Sequence, residues 1–188
     1  MPLHRPASEI SSRIAERAAG FVGEGRALTV VALASETGIE PERLRALYPD
    51  DADLAFAAVE GGFARLASAI GAIPADLGDS SRLAELGRAY IRFALSNRSL
   101  FLLMFDPVHG PRRPDAGTDG GYLSALEIVA DAAWVPSRSE PARLAMLQVW
   151  SMVHGYAMLA IAGALPGDAH GDPVIDELIE SSVRRIAA

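Results

Sequence analysis

The sequence predicts an all-α protein, and three observations lead there. Half of the 188 residues are hydrophobic, with Ala and Leu outnumbering β-branched and aromatic types, a balance that favours helix over strand. Apolar residues recur at three- and four-residue spacing along most of the chain, and no strand-like alternation stands between hairpin turns. Capping residues precede these segments and Gly or Pro follows them, where helices start and stop.

Taken in order, the first helix is expected over Ser8–Val22, with Ile10, Ile14, Ala18 and Phe21 on one face, Ser8 as cap and Gly23 and Gly25 as the stop. Thr29 is placed to cap a short helix over Val30–Glu36, which Gly38 ends with a tight turn. Pro41 opens a third short helix through Tyr48, because a first-turn proline forfeits no hydrogen bond. Two short helices joined by a Gly-containing turn form a helix-turn-helix layout. Asp50 then caps a long helix through Ile70, with Leu54, Phe56, Val59, Phe63 and Leu66 among its apolar positions. The stretch Ile73–Asp79 breaks the chain. Further helices are expected over Ser81–Ser96, Ser99–Phe105, Tyr122–Trp134, Pro141–Leu165 and Pro173–Ile186. The organisation is a head over residues 1–49 and a helical body over 50–188.

The chain has no cysteine, which removes disulfides, thiolate metal sites and cysteine nucleophiles together. Its first residues are polar rather than secretory, and no apolar run approaches ~18 residues, so a soluble, cytoplasmic protein with no membrane partner is expected. The net charge is −7 and every Lys+Arg cation is an Arg. That acidic total excludes nucleic-acid binding through a broad basic surface and leaves room for a few focused cations.

The segment Gly25 to Asp50, with Leu28-Thr29, Ala34-Ser-Glu-Thr-Gly38, Pro41, Leu44 and Tyr48-Pro49-Asp50 in order, resembles the signature of TetR-like transcriptional regulators. The body resembles the C-terminal domain of that family named for its Trp, His and Gly, here Trp150-Ser-Met-Val-His154-Gly155, preceded by Tyr90-Ile-Arg-Phe93 and Phe101-Leu-Leu-Met104-Phe105. The resemblance implies about nine helices per subunit and a homodimer paired through the last two. It also implies a small hydrophobic effector in the body and operator DNA read by the third helix. The fold class is thus a three-helix helix-turn-helix head followed by a larger helical ligand-binding and dimerisation domain. A repressor without cofactor is the implied activity.

For the operator, the expected contacts are Thr29, Arg43, Arg45 and Tyr48. Arg43 and Arg45 lie on the third helix, and an Arg can hold guanine by two hydrogen bonds in the major groove. Thr29 offers a hydroxyl at a helix N-terminus, where phosphate is favoured. Where the family carries a Tyr, a His and a Lys, this chain has Arg45, Leu47 and Asp51. Between Glu36 and Asp53 six carboxylates face two guanidiniums, a local charge of −4. An acid at position 51 should repel the DNA backbone. A second reading follows, in which the fold has lost operator binding and binds or transforms a small hydrophobic molecule.

For the effector, the expected residues are Phe101, Met104, Phe105, Tyr122, Trp150 and His154. Trp150 and His154 are four apart and share a helix face, and a pocket of Met and aromatic rings with one polar His suits an apolar ligand with a single hydrogen-bonding group. His154 read alone is a core histidine bonded to a carbonyl, with Gly155 admitting a close helix. Asp168 and His170 belong to an exposed loop, Asp172 caps the last helix, and His109 is a loop residue, so no metal site is expected. No nucleophile elbow, phosphate-cradling loop or supported carboxylate pair stands in the sequence, and no enzyme activity is assigned.

Overall fold

The computed structural model describes residues 5–74, 76–77, 79–106, 140–165 and 173–186. Among them stand eight helices and no strand: α1 Arg5–Gly23, α2 Val30–Thr37, α3 Pro41–Leu47, α4 Asp51–Gly71, α5 Asp79–Ser96, α6 Arg98–Met104, α7 Glu140–Ile161 and α8 Pro173–Ile186. The helix expected over Tyr122–Trp134 lies outside the described residues. Contacts gather into two compact units, Met1–Arg65 with Asn97–Ser124, and Leu66–Ser96 with Ala125–Ala188.

The first unit is built on local signals. α1 ends where Arg26 N–H reaches back to the Phe21 carbonyl at 3.0 Å and Gly25 N–H to Val22 at 2.9 Å, the paired bonds that close a helix through a left-handed residue. Thr29 caps α2, its hydroxyl oxygen accepting from Ala32 N–H at 3.1 Å. Gly38 closes α2 with φ 67°, a conformation that costs a residue with a Cβ about 1 kcal/mol or more. Asp50 caps α4, accepting from Asp53 N–H at 2.8 Å. Ile14, Ala18, Phe21, Leu33, Leu44 and Leu54 are buried together as the head core. α4 crosses α1 closely: a Cβ on Gly61 would lie 2.5 Å from the Ala15 carbonyl oxygen, so only glycine permits that approach.

The second unit packs α5 against α7 and α8. Tyr90, Ile91 and Ala94 of α5, Val153 and Tyr156 of α7, and Ile175 and Ile179 of α8 are buried. The apolar pattern suggests α7 through Leu165, yet it ends at Ile161. Gly163, with φ 68°, donates to Ala160 at 3.1 Å while Ala164 donates to Leu159 at 2.9 Å, and these bonds stop the helix. α4 is long and apolar enough to cross a membrane, with mean hydropathy 1.3, but half of that window is buried. Leu54, Val59, Phe63, Leu66 and Ile70 are all enclosed, the pattern of a core helix.

Candidate functional site

The head presents α3 through the Gly38 turn. Leu44 is fully buried against α2, and a step of about 100° per residue places Arg43 and Arg45 on either side of it. Both are exposed, and neither forms an ion pair among the described residues. Tyr48, the residue that ends α3, is half-buried and packs on the head core, so its ring serves packing before any contact outside. Leu47 is 39% exposed.

The carboxylates around α3 are not equivalent. Glu36 is gripped by two guanidiniums, Arg17 and, at 2.6 Å, Arg26. The hydrogen bond to Glu36 is the main cause that raises the Arg26 pKa, and its guanidinium lies 3.5 Å from the Phe21 ring centre. Asp50 caps its own helix. Asp51 does something that the sequence alone does not reveal: its Oδ1 accepts from Val30 N–H at 3.0 Å, closing the first turn of α2 from 21 residues away. The helix end expected beside Thr29 as a phosphate cradle therefore already holds an anion.

In the second unit, Tyr90 joins the two body residues that define the sequence motif. Trp150 Nε1–H, which can only donate, reaches Tyr90 Oη at 3.2 Å. The same Oη lies 2.9 Å from His154 Nδ1, and the Trp150 and His154 rings are 6.0 Å apart. Burial lowers the His154 pKa. Tyr90 is 4% exposed; the sequence offered a signal for it, a phenol on an otherwise apolar helix face, which needs a polar partner when buried. The partner of His154 among the described contacts is this phenol. No described atom lies within 4 Å of a would-be Cβ on Gly155.

Phe101 and Met104 are fully enclosed in the first unit. Phe105 is half-buried, its ring centre 4.9 Å from Phe101 and 5.7 Å from Phe63. The structure thus brings Phe101, Met104 and Phe105 together in one unit and Trp150 with His154 in the other. Tyr122, Asp168, His170, Asp172 and His109 lie outside the described residues. A cleft of about 430 Å³ opens in the second unit beside Ala84, Glu85, Arg88, Glu180 and Arg184, none of them an expected effector residue. Its Arg88 is paired with Asp176 at 2.6 Å, Glu85 at 3.0 Å and Glu180 at 3.3 Å. No group of three or more metal-capable side chains occurs among the described residues.

Comparison with known proteins places this architecture. The tetracycline repressor-like C-terminal domain family matches residues 83–186, which include Tyr90, Trp150 and His154. No curated protein sequence matches the chain. Among solved structures, a candidate regulatory protein, SCO4313, superposes with TM-score 0.64 at 22% identity, covering 99% of this chain and 98% of its own. A protein of unknown function from Rhodococcus sp. RHA1 superposes with TM-score 0.66 at 24% identity, covering 98% and 95%. At such identities these two likenesses speak for the fold alone.

Proposed function

The chain belongs to the tetracycline repressor-like family of regulators, and from that premise we propose that it is a homodimeric, effector-responsive repressor that binds operator DNA through α3. The observation that carries this reading is the pair Arg43 and Arg45, exposed and without ion-pair partners among the described residues on a helix fixed by the Gly38 turn. Such guanidiniums can read guanine edges, with Thr29 and Tyr48 placed at the ends of α2 and α3. Two copies of α3 must stand about 34 Å apart to enter successive major grooves. An effector that binds better to another spacing releases the DNA by shifting the population toward it.

Dimerisation through α7 and α8 is supported by apolar side chains that the second unit leaves in water. Leu159 is 49% exposed on α7, and Val174 and Leu178 are 58% and 41% exposed on α8, while their neighbours Ile175 and Ile179 face inward. For the effector, Trp150 and His154 with Tyr90 supply one polar group among rings. Phe105, over Phe101 and Met104, supplies a second apolar surface. The ligand class that suits both is a small hydrophobic molecule with a single hydrogen-bonding group.

The rival reading, a body that binds a small molecule under a head that no longer holds DNA, draws on Asp51, which bonds the start of α2, and on Glu40 and Glu42 at the start of α3. Fluorescence anisotropy on the DNA flanking its own gene, over a salt series, separates them. Sequence-selective binding that weakens steeply with salt supports the regulator. Absence of any binding at low salt leaves the rival standing.

A further inference from the structure

Along α8 one triplet recurs, Val174-Ile175-Asp176 and then Leu178-Ile179-Glu180. At about 100° per residue each triplet spreads over the helix as an apolar edge, an inward residue and an acidic edge. Ile175 and Ile179 are buried, whereas Val174 and Leu178 are exposed. Apolar burial alone does not choose that roll. Val174 and Leu178 are also four residues apart, so α8 turned by one residue would bury a Val and a Leu in place of two Ile at nearly equal gain. Two neighbours on α5 do choose it. A Cβ on Gly87 would stand 3.1 Å from Ile179 Cδ1 and 3.3 Å from Val153 Cγ1, so the bare backbone there receives Ile179. Arg88, the next residue, gives a separate nitrogen to each of three carboxylates: Nε to Asp176, Nη1 to Glu85 and Nη2 to Glu180. Two of the three form the acidic edge of α8, and a planar guanidinium fork fixes their direction as well as their distance. The adjoining cleft offers a ligand little, because Glu85 also meets Arg92 at 3.7 Å and Glu180 also meets Arg184 at 3.5 Å.

We propose that Arg88 is the positioning residue of the subunit contact: its grip on Asp176 and Glu180 fixes the roll of α8 on α5 and keeps Val174 and Leu178 turned outward to meet a second copy of this chain. The inference rests on the dimer reading above and adds what orients that contact. Exposed ion pairs contribute little to stability one by one, but a set satisfied in a single packing discriminates against the others. In the alternative roll Arg88 would face Ile175 and Ile179, and Glu177 and Arg184 would come round to the place that Val174 and Leu178 leave. A partner would then meet charges instead of an apolar edge.

The test measures the dimer dissociation constant of the full chain by sedimentation equilibrium for wild type, Arg88→Met, the double variant Asp176→Asn with Glu180→Gln, and Arg184→Met. The double variant loosens the same grip from the side of α8 with near-isosteric groups, and it carries the test if R88M does not fold. R184M is the control, because Arg184 pairs only with Glu177 and Glu180 of its own helix among the described residues. R88M and the double variant should each raise the dissociation constant about tenfold, and R184M should leave it unchanged. Roll is read separately. The chain has no cysteine, so Ile179→Cys carries a single thiol, and maleimide should label it about tenfold faster when R88M is added, at a temperature where circular dichroism shows both chains folded. A dissociation constant unchanged in R88M and the double variant, or raised equally by R184M, overturns the role of Arg88 while the dimer reading stands. If wild type itself stays monomeric at about 100 μM, the dimer reading falls and this proposal with it.

Discussion

Substituting Tyr90 by Phe removes one oxygen that two other side chains use. Trp150 Nε1–H and His154 Nδ1 would lose their described partner in a half-buried setting, and Y90F is expected to cost about 1–3 kcal/mol in urea denaturation. His154 adds a pH signature. Because burial holds its folded pKa below the ordinary 6.5, the unfolded chain takes up the proton first as pH falls. Stability from the neutral ring is complete above the unfolded value and is lost as pH falls through the folded one. Melting temperatures followed from about pH 7.5 to about pH 5 should decline more in wild type than in H154N. Glu60 has the opposite sign: desolvation raises its pKa above 4.5, so its cost appears as pH rises past that value, and E60Q should melt higher than wild type at neutral pH. Trp150 and His154 were legible together because they are four residues apart on one helix. Tyr90 was quoted with their motif but not assigned to their site, because its contacts span 60 and 64 positions, a separation over which periodicity carries no information.

Helix ends follow the same division between local and distant causes. Thr29, Gly38, Pro41 and Asp50 each act within a few residues, and the ends of α2, the start of α3 and the start of α4 were readable from them to within a residue. Thr29→Ala is expected to destabilise the head by about 1 kcal/mol in chemical denaturation, the usual loss for an N-cap. α7 was read four residues too long because Ala162, Ala164 and Leu165 continue an apolar run, while the left-handed Gly163 that ends it looks like any helical glycine in sequence. Asp51 shows the limit from the other side. Its acidity beside α3 was plain, but its bond to Val30 depends on how α4 leaves the head. Gly61 is equally silent in sequence; G61A should push α1 and α4 apart and cost roughly 1–3 kcal/mol, the scale of an overpacked contact.

For the whole molecule, the family and the all-helical fold were legible because the signature from Gly25 to Asp50 and the Trp150 motif lie at fixed spacings. The division into two compact units was not, since α6 joins the first unit from beyond α5, and such a return follows from packing rather than pattern. If α7 and α8 form the subunit contact, a charge on their exposed face should break it. L178E is expected to elute as a monomer in size-exclusion chromatography and to lose the concentration dependence of its melting temperature. Symmetry has a further consequence for the small contact between Val30 and Asp51. A two-fold assembly would carry it twice, so one substitution at Asp51 would open the first turn of α2 in both subunits, and what it does to one head would be squared across the pair.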